Sequence, residues 1–415
     1  MDIKEIFGKA LGIVEPWYVA GVNLDIESKK LDIQLDFRRG ATFHYESEDK
    51  KVCGDFKAYD TVEKEWRHLN FFEYECYLKA RVPRVKPNDD EIHIAYPSWC
   101  GLMNGFTLLF EALTMQLAKA MPIHQVGKII KESDYKIWCI VDRYVDSAVA
   151  LNNYNELTAV GLDETSIAKG HAYVTLFVDL NEKRTIFVAK GKDAATVEAF
   201  KNDIEAHQGK AENIKNISCD MSPAFISGVK KNLPNAEITF DKFHILKIIN
   251  EAVDEVRREE SKYNPLLKGA RYVFLKNDRN LTQEQRIMKE KLLLPKLNLK
   301  SVKALIIRES FQQIYFAKTF RWFKKLLQQW YFWATHSRLE PIKAAAKTIK
   351  KHWDGVLNWK KSQINNGILE GLNSIVQAAK AKARGYNTFK HFKNIIYLIT
   401  GNLDFNKVNS CCLPT

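Results

Sequence analysis

Two periodicities divide the chain. Between residues 20 and 100 apolar and polar positions alternate: Lys30 to Phe37 reads KLDIQLDF, and Glu75 to Val85 reads ECYLKARVPRV. Side chains of a strand point alternately to opposite faces, so this pattern predicts half-buried β-strands. A polar, turn-prone stretch, ESEDKKVCGD, lies between them. From Thr107 the period becomes helical. FTLLFEALTMQLAKA and MPIHQVGKII are followed by a break at KESD and then by YKIWCIVDRYVDSAV. Short amphipathic helices joined in this way, the last capped by Ser133 or Asp134, match a helix-turn-helix. Asp134, Lys136 and Arg143 would decorate the exposed side of the last helix. A generic three-helix bundle has the same spacing.

The next segment alternates strand and helix. LTAVGLDE, AYVTLFVDL and RTIFVAKG read as strands joined by short turns at Ala168-Lys169-Gly170 and Asn181-Glu182-Lys183, which makes them antiparallel neighbours. DAATVEAFKNDIEAH, NIKNISCDMS, PAFISGVKKNL and AEITFDKFH then read helix, strand, helix and strand, the second helix opened by Pro223. Crossovers of that kind are parallel. Three antiparallel strands continued by two parallel ones, flanked by helices, is an RNase H-like order, in which the first and fourth strands are central neighbours. From Asp241 to about Asn358 the chain reads as helical and rich in Lys, Arg and aromatics, densest in FQQIYFAKTFRWFKKLLQQWYFWATHS. QINNGILEGLNSIVQAAKAKARGYNTF follows as one helix, stopped by Gly385.

Composition narrows the classes. A chain of 415 residues predicts two or three domains. Its 63 Lys+Arg against 50 Asp+Glu, net +13, suit a nucleic-acid binder that neutralises phosphates, and equally a merely basic soluble protein. Seven cysteines (Cys53, Cys76, Cys100, Cys139, Cys219, Cys411 and Cys412) contain no C-x-x-C pair and read as reduced thiols. MDIKEIFGKALGIV carries acids where a signal peptide needs cations, and no apolar run reaches membrane-spanning length. The expected location is cytoplasmic, with no membrane partner. The terminal CCLPT is a poor prenylation box because of its proline.

Asp163 at the end of the first strand of the mixed sheet and Asp220 at the end of the fourth would converge in that order of strands. Two carboxylates at such range need a neutralising cation, and hard oxygen ligands suit Mg²⁺ or Mn²⁺. A two-ion site needs a third acid. Glu370 is the candidate: with Asn373, Gln377, Lys380 and Arg384 it forms a polar stripe at helical spacing. Leu369, Leu372, Val376, Ala379 and Ala383 lie opposite. That stripe can place Glu370 at the ions and lay Lys380, Lys382 and Arg384 along a DNA backbone; a solvated amphipathic helix has the same pattern. Glu164 should point away from Asp163, towards solvent or a lysine. Asp179 reads as a turn residue. Asp241, Lys242 and His244, after the fifth strand, could order a water or contact phosphate, or Asp241 could simply cap a helix. Ser222 and Pro223 should start a helix whose amides help hold Asp220. Trp322, Trp330 or Trp333 could stack on an unpaired base, although aromatics at helical spacing also build cores.

Three blocks carry a family resemblance: GLDETSIAKGHAYVTLFVDL, ISCDMSPAFISGVKKNLPNAEITFDKFHI and NNGILEGLNSIVQAAKAKARGYNTFKHFKN. In order, they resemble the bacterial insertion-sequence transposases of the ISL3 type. The helix-turn-helix region and WRHLNFFEYECYLKARVPRV are similar to the same family, so the resemblance covers nearly the whole chain. It implies that Asp163, Asp220 and Glu370 form the DDE triad of an RNase H-like catalytic domain; Asp241, His244 and Asn373 are auxiliary candidates by their places beside that triad. It also implies Mg-dependent cleavage and strand transfer at terminal inverted repeats, with two Mg²⁺ or Mn²⁺ ions per site. Double-stranded DNA, both element end and target, is the expected partner, and paired ends imply at least a dimer on a bacterial nucleoid. The architecture expected is α+β and multidomain. Residues 1–100 form a β-rich DNA-binding domain, 101–152 the helix-turn-helix, 153–250 the first part of the core, 251–358 a helical insertion and 359–405 the core's last helix.

One departure from the family stands out. Its members carry an N-terminal zinc motif of paired cysteines, whereas here the matching stretches FHYESEDKKVCGD and VPRVKPNDDE keep only Cys53, with His44 a possible second ligand. Structural zinc takes four N/S ligands, so no structural zinc is expected. Two other readings remain. One is a catalytically silent DNA-binding regulator or decayed derivative. The other is a related nuclease such as a junction resolvase, which leaves the helical insertion and the front modules unexplained.

Overall fold

The computed structural model describes residues 2–47, 52–87, 91–103, 105–167, 173–362, 364 and 367–408. The expected turn at Ala168-Lys169-Gly170, part of the polar stretch after Glu46, and Cys411 and Cys412 lie outside the described residues. The chain forms two compact units: Met1–Leu151 with Ala379–Ile399 and Leu403–Thr415, and Asn152–Ala378 with Thr400–Asn402. Residues 379–399 therefore group with the first unit, where the sequence reading gave 359–405 wholly to the core. Among the described residues no helix is long and apolar enough to cross a membrane.

The first unit opens with α1 (Ile3–Ala10), which strand alternation did not foretell. A six-stranded sheet follows, made of β1 (Trp17–Asp25), β2 (Lys30–Phe37), β3 (Thr42–Glu46), β4 (Cys53–Phe71), β5 (Tyr74–Val85) and β6 (His93–Ile94). Their order is β1-β2-β5-β4-β3, with β6 on β5. The two alternating stretches of the sequence are β2 and most of β5. They are parallel neighbours that place Leu31, Ile33 and Leu35 beside Cys76, Leu78 and Ala80. All six are buried, with Trp17 and Trp66, in one core. That is the outcome period-two alternation demands of a sheet with one covered face.

Three more helices of this unit follow: α2 (Leu108–Ala120), α3 (Ile123–Ile130) and α4 (Asp134–Ala150). Thr107 caps α2, accepting from the Phe110 amide, and Ser133 caps α4, accepting from the Lys136 amide. Lys131, at φ 58°, turns the chain out of α3. The buried Glu111 carboxylate accepts from the Leu102 and Met103 amides, each at 2.8 Å, and from the Tyr144 hydroxyl at 2.7 Å. Burial pushes its pKa up, and these donors oppose the shift. The helix Phe389–Thr400 adds Asn394, which donates to Asp142 of α4 at 2.8 Å, and His391, stacked on Trp138 at 3.8 Å.

The second unit holds a five-stranded sheet. Its strands are β7 (Ala159–Ser166), β8 (Tyr173–Asp179), β9 (Arg184–Lys190), β10 (Asn216–Cys219) and β11 (Glu237–Phe240), in the order β11-β10-β7-β8-β9. β7, β8 and β9 are antiparallel, and β10 is parallel to both β7 and β11. The first and fourth strands of this sheet are thus neighbours, as the short turns and helical crossovers require. The crossovers are α5 (Ala194–Ala206) and α6 (Pro223–Asn232). At the β8–β9 corner Asp179 accepts from the Asn181 and Glu182 amides, the turn role its position suggested.

Helices follow: α7 (Lys242–Glu260), α8 (Arg271–Leu275), α9 (Gln283–Leu292), α10 (Lys300–Ile314), α11 (Phe320–Thr335), α12 (Glu340–Lys351), α13 (Trp353–Ser362) and α14 (Gly367–Lys382). The dense aromatic stretch is split, because α10 ends at Ile314 and Thr319 caps α11. Trp330 is core: its indole N–H donates to the Ile307 carbonyl at 2.9 Å and its ring meets Phe311 edge-on. Trp322 and Trp333 are 48% and 38% exposed, so of the three tryptophans only these can face a ligand. Arg308, fully buried, donates to Asn250, to the Leu275 carbonyl and to Asn277, tying α7 and the end of α8 to α10.

Candidate active site

Three parallel strands deliver an acid each to one end of the sheet. Asp220 directly follows β10, and Asp241 directly follows β11. Asp163 lies inside β7 rather than at its end, which corrects the expectation. The β10 ladder stops at Gly161, while pairing with β8 carries β7 on through Asp163 to Ser166. Each acid is fixed by backbone N–H groups, the usual way a chain leaving a strand satisfies a carboxylate. The Ser222 amide donates to Asp220 Oδ1 at 2.9 Å just before Pro223 opens α6. The Phe243 amide donates to Asp241 Oδ1 at 2.9 Å, so Asp241 caps α7. The Glu164 amide donates to Asp163 Oδ1 at 2.8 Å.

α14 brings the fourth acid. It packs on β7 through Leu369, and the strand residue beneath is Gly161, where an added Cβ would lie 2.7 Å from the leucine side chain. Only glycine permits that approach. One residue on is Glu370, and one turn on Asn373 donates from Nδ2 to Asp163 Oδ2 at 2.9 Å. Gln377 donates to the Thr165 hydroxyl. Within the polar stripe of this helix Asn373 and Gln377 thus dock onto β7.

Asp163, Asp220, Asp241, His244, Glu370 and Asn373 line one cavity of about 240 Å³. Two of its carboxyl groups, Asp163 and Glu370, resist ionisation. Burial pushes the Asp163 pKa up; the Asn373 and Glu164 donors and His244 oppose this, and Asp241 adds to it. Glu370 is pushed up by burial and then by Asp241 and Asp163, with His244 opposing. Asp163, Asp220 and Glu370 do not bring their oxygens within 4.8 Å of one another; among the described residues only His44, Glu46 and Cys53 form so tight a group. The acids surround a space. The site also holds a buried oxygen, Asn373 Oδ1, with no hydrogen-bond partner. A set of carboxylate and amide oxygens around a cavity, one of them orphaned, fits a hard divalent cation and its waters.

Other candidates fall elsewhere. Glu164 pairs with Lys192 at 3.7 Å. Lys242 does not line the cavity; its ammonium sits 4.6 Å above the Tyr315 ring, and burial pushes its pKa down. His244 Nδ1 lies 3.5 Å from Asp241 Oδ2. Lys136 and Arg143 are exposed on α4, and Lys136 pairs with Glu132 at 2.9 Å. Lys380, Lys382 and Arg384 belong to the first unit, where Lys382 donates to the Ala120 carbonyl at 2.9 Å and so closes the end of α2. On the β3–β4 hairpin His44 faces Asp55 and Glu46 faces Cys53 in register, and His44 Nδ1 lies 3.1 Å from Asp55. The sequence offered Cys53 and His44 here; among the described residues Glu46 joins them, all three exposed.

What the sequence left undecided is Asp241 as part of the cavity. Its signal was the repetition of one device, a short apolar strand running straight into an acid: ISC before Asp220 and ITF before Asp241.

Comparison with known proteins bears on this arrangement. A family model described as "Transposase", for DDE transposases of the ISL3 type, matches residues 160–396. The chain belongs to this transposase family. Among its relatives is the transposase for insertion sequence element IS1001 of Bordetella parapertussis, 23% identical over 347 residues, covering 81% of this chain and 84% of that protein. Another is the transposase for insertion sequence element IS1557 of Mycobacterium tuberculosis, 26% identical over 356 residues, covering 78% and 79%.

Proposed function

We propose that this protein is the transposase of an insertion sequence, binding the element's terminal inverted repeats and cutting and joining DNA by phosphoryl transfer in an RNase H-like core. One observation carries the reading: Asp163, Asp220 and Glu370, far apart in sequence, line the same cavity. Bound by these acids, two Mg²⁺ or Mn²⁺ ions would supply activation of the attacking oxygen and stabilisation of the leaving one. The protein's own part is placement. Asn373 orients Asp163, the Ser222 amide orients Asp220, and the packing of Leu369 on Gly161 sets the depth of Glu370. Asp241 caps α7, and His244 one turn into that helix lines the cavity, where the imidazole can order a water or contact a phosphate oxygen. Water cuts one strand at the element's end, and the freed 3′-OH displaces a target-strand oxygen in line. The first unit, with its three helices read as a helix-turn-helix module and with Lys136 and Arg143 exposed, is the part assigned to end recognition. Pairing two ends calls for at least two copies of the chain.

The test is direct. Asp163→Asn, Asp220→Asn and Glu370→Gln should each lower divalent-dependent nicking of a labelled inverted-repeat duplex by at least about a thousandfold, while gel-shift affinity for that duplex stays within about twofold. Near-normal cutting by any one variant removes that residue from the site. A wild-type protein that binds and never nicks would favour the silent regulator.

A further inference from the structure

Phe243, the second residue of α7, is 55% exposed and lines two cavities at once. One is the acid pocket; the other is a groove of about 600 Å³ between α7, α8 and α10. Single exposed apolar residues are ordinary. This one is not isolated, since it stands one residue before His244 and lines both the acid site and a second cavity.

The groove continues along one face of α7. Phe243, Lys247, Asn250, Glu251, Asp254 and Arg258 all line it and recur at helical spacing. From Phe243 to Arg258 the helix rises roughly 22 Å, the axial length of about six nucleotides of one DNA strand. The opposite wall adds Arg271, Lys276 and Arg308. Glu251 and Asp254 are the acids among the lining residues, and Asp254 is already claimed by Arg257 at 2.8 Å, Arg258 at 3.5 Å and Arg271 at 3.8 Å; Glu309 and Asp278 act on Arg308 from outside the lining. Arg308 spends its donors on Asn250 and on the end of α8, so it shapes the groove. Lys247, and Lys276 with its ammonium 5.3 Å over the Tyr272 ring, are the lining cations placed to meet a polyanion. A cleft of this volume is the size of small-molecule sites and takes a few nucleotides of one strand, not a duplex.

We infer that this groove carries the unpaired DNA strand leading away from the reacting phosphate, with Phe243 stacked on the first base and Lys247 and Lys276 on the backbone beyond. The inference rests on the acid pocket being the active site. Stacking on an aromatic ring tolerates any base, so the groove would hold the strand without reading its sequence.

Binding can be measured by fluorescence anisotropy with the full chain carrying Asp163→Asn, in EDTA, so that no cutting is needed. The probes are a blunt duplex and the same duplex ending in a six-thymidine single-stranded tail. We expect the tailed probe to bind at least fivefold tighter. Phe243→Ala should abolish that preference, Phe243→Trp should keep it, and Lys247→Glu with Lys276→Glu should lower it and flatten its salt dependence. Phe243 is exposed, so its removal leaves the core intact, and equal melting temperatures check this; the lysine variants carry the test if it misfolds. An unchanged tailed-to-blunt ratio in Phe243→Ala and in the lysine pair overturns the inference. Nicking that survives Asp163→Asn would instead sink the active-site reading and leave the groove measurement standing.

Discussion

Asp163 is a residue whose charge the fold resists. Burial and the neighbouring Asp241 raise its pKa above the ordinary 3.8, and Glu370 is raised in the same way. A carboxyl group with a raised folded-state pKa contributes stability that is fully present below its unfolded pKa and is lost as pH rises through the folded value. In the metal-free protein these two carboxyl groups should therefore contribute less stability as the pH rises from about 4 to neutrality, the direction opposite to that of a salt-bridged acid. Asp163→Asn removes that charge and keeps the shape. At pH 7 without metal the variant should melt above the parent, and the gap should close as the pH falls into the ordinary carboxylate range. Added Mg²⁺ or Mn²⁺ should raise the parent's melting temperature and leave the variant's nearly unmoved. A variant that melts lower at neutral pH, or gains as much from the ion, would show that Asp163 is not a strained ligand. The signal for this residue was legible, because an acid directly after apolar strand residues has few structural uses. Its true place within β7 was not, since the chain beyond it pairs only with β8.

At the scale of elements, α14 depends on a void. Gly161→Val would set a branched side chain where Leu369 now lies, with neighbours already at 2.7 and 2.9 Å from an added Cβ. Overpacking of this kind costs about 1–3 kcal/mol, too little to unfold a core of this size. Glu370 would be displaced instead, so the variant should fold, bind DNA like the parent and nick at least tenfold more slowly; normal nicking would mean that α14 tolerates movement. The β3–β4 hairpin makes a different prediction. Among the described residues its exposed group of three possible ligands is one short of the four a structural zinc uses, and its strands are already laddered from Thr42 to Glu46. Dialysis against EDTA should leave its circular dichroism and melting curve unchanged, and a fall of several degrees would mark a structural metal. These elements were unevenly legible. β2 and β5 announce themselves because their inward positions are all apolar. β4 is hidden because its less exposed positions include Asp60 and Lys64 beside Phe56, Ala58 and Val62, which breaks the period-two signal. Arg84 pairs with Asp60 across the strands and makes that charge tolerable.

For the whole molecule, charge and contact order act at distances the sequence does not display. The grouping of residues 379–399 with the first unit depends on contacts such as Asn394 to Asp142, about 250 positions apart, which no local pattern encodes. Net charge is legible, but its use is not. Of 63 basic residues some are committed within the protein, Arg308 to the ends of helices and Lys382 to the Ala120 carbonyl, while Arg143 and Arg384 remain exposed. An excess of +13 spread over two units predicts that duplex binding is dominated by counterion release. If six to ten phosphates are neutralised, affinity for a random duplex should fall by roughly 10³ to 10⁵ between 50 and 200 mM salt. The inverted-repeat duplex should weaken in parallel and stay tighter throughout, because base contacts add a term that salt does not screen. Titrating both duplexes over that range in one buffer measures the two slopes together. Shallow slopes would place the excess charge in internal pairing, and a single common curve would remove end recognition from the first unit.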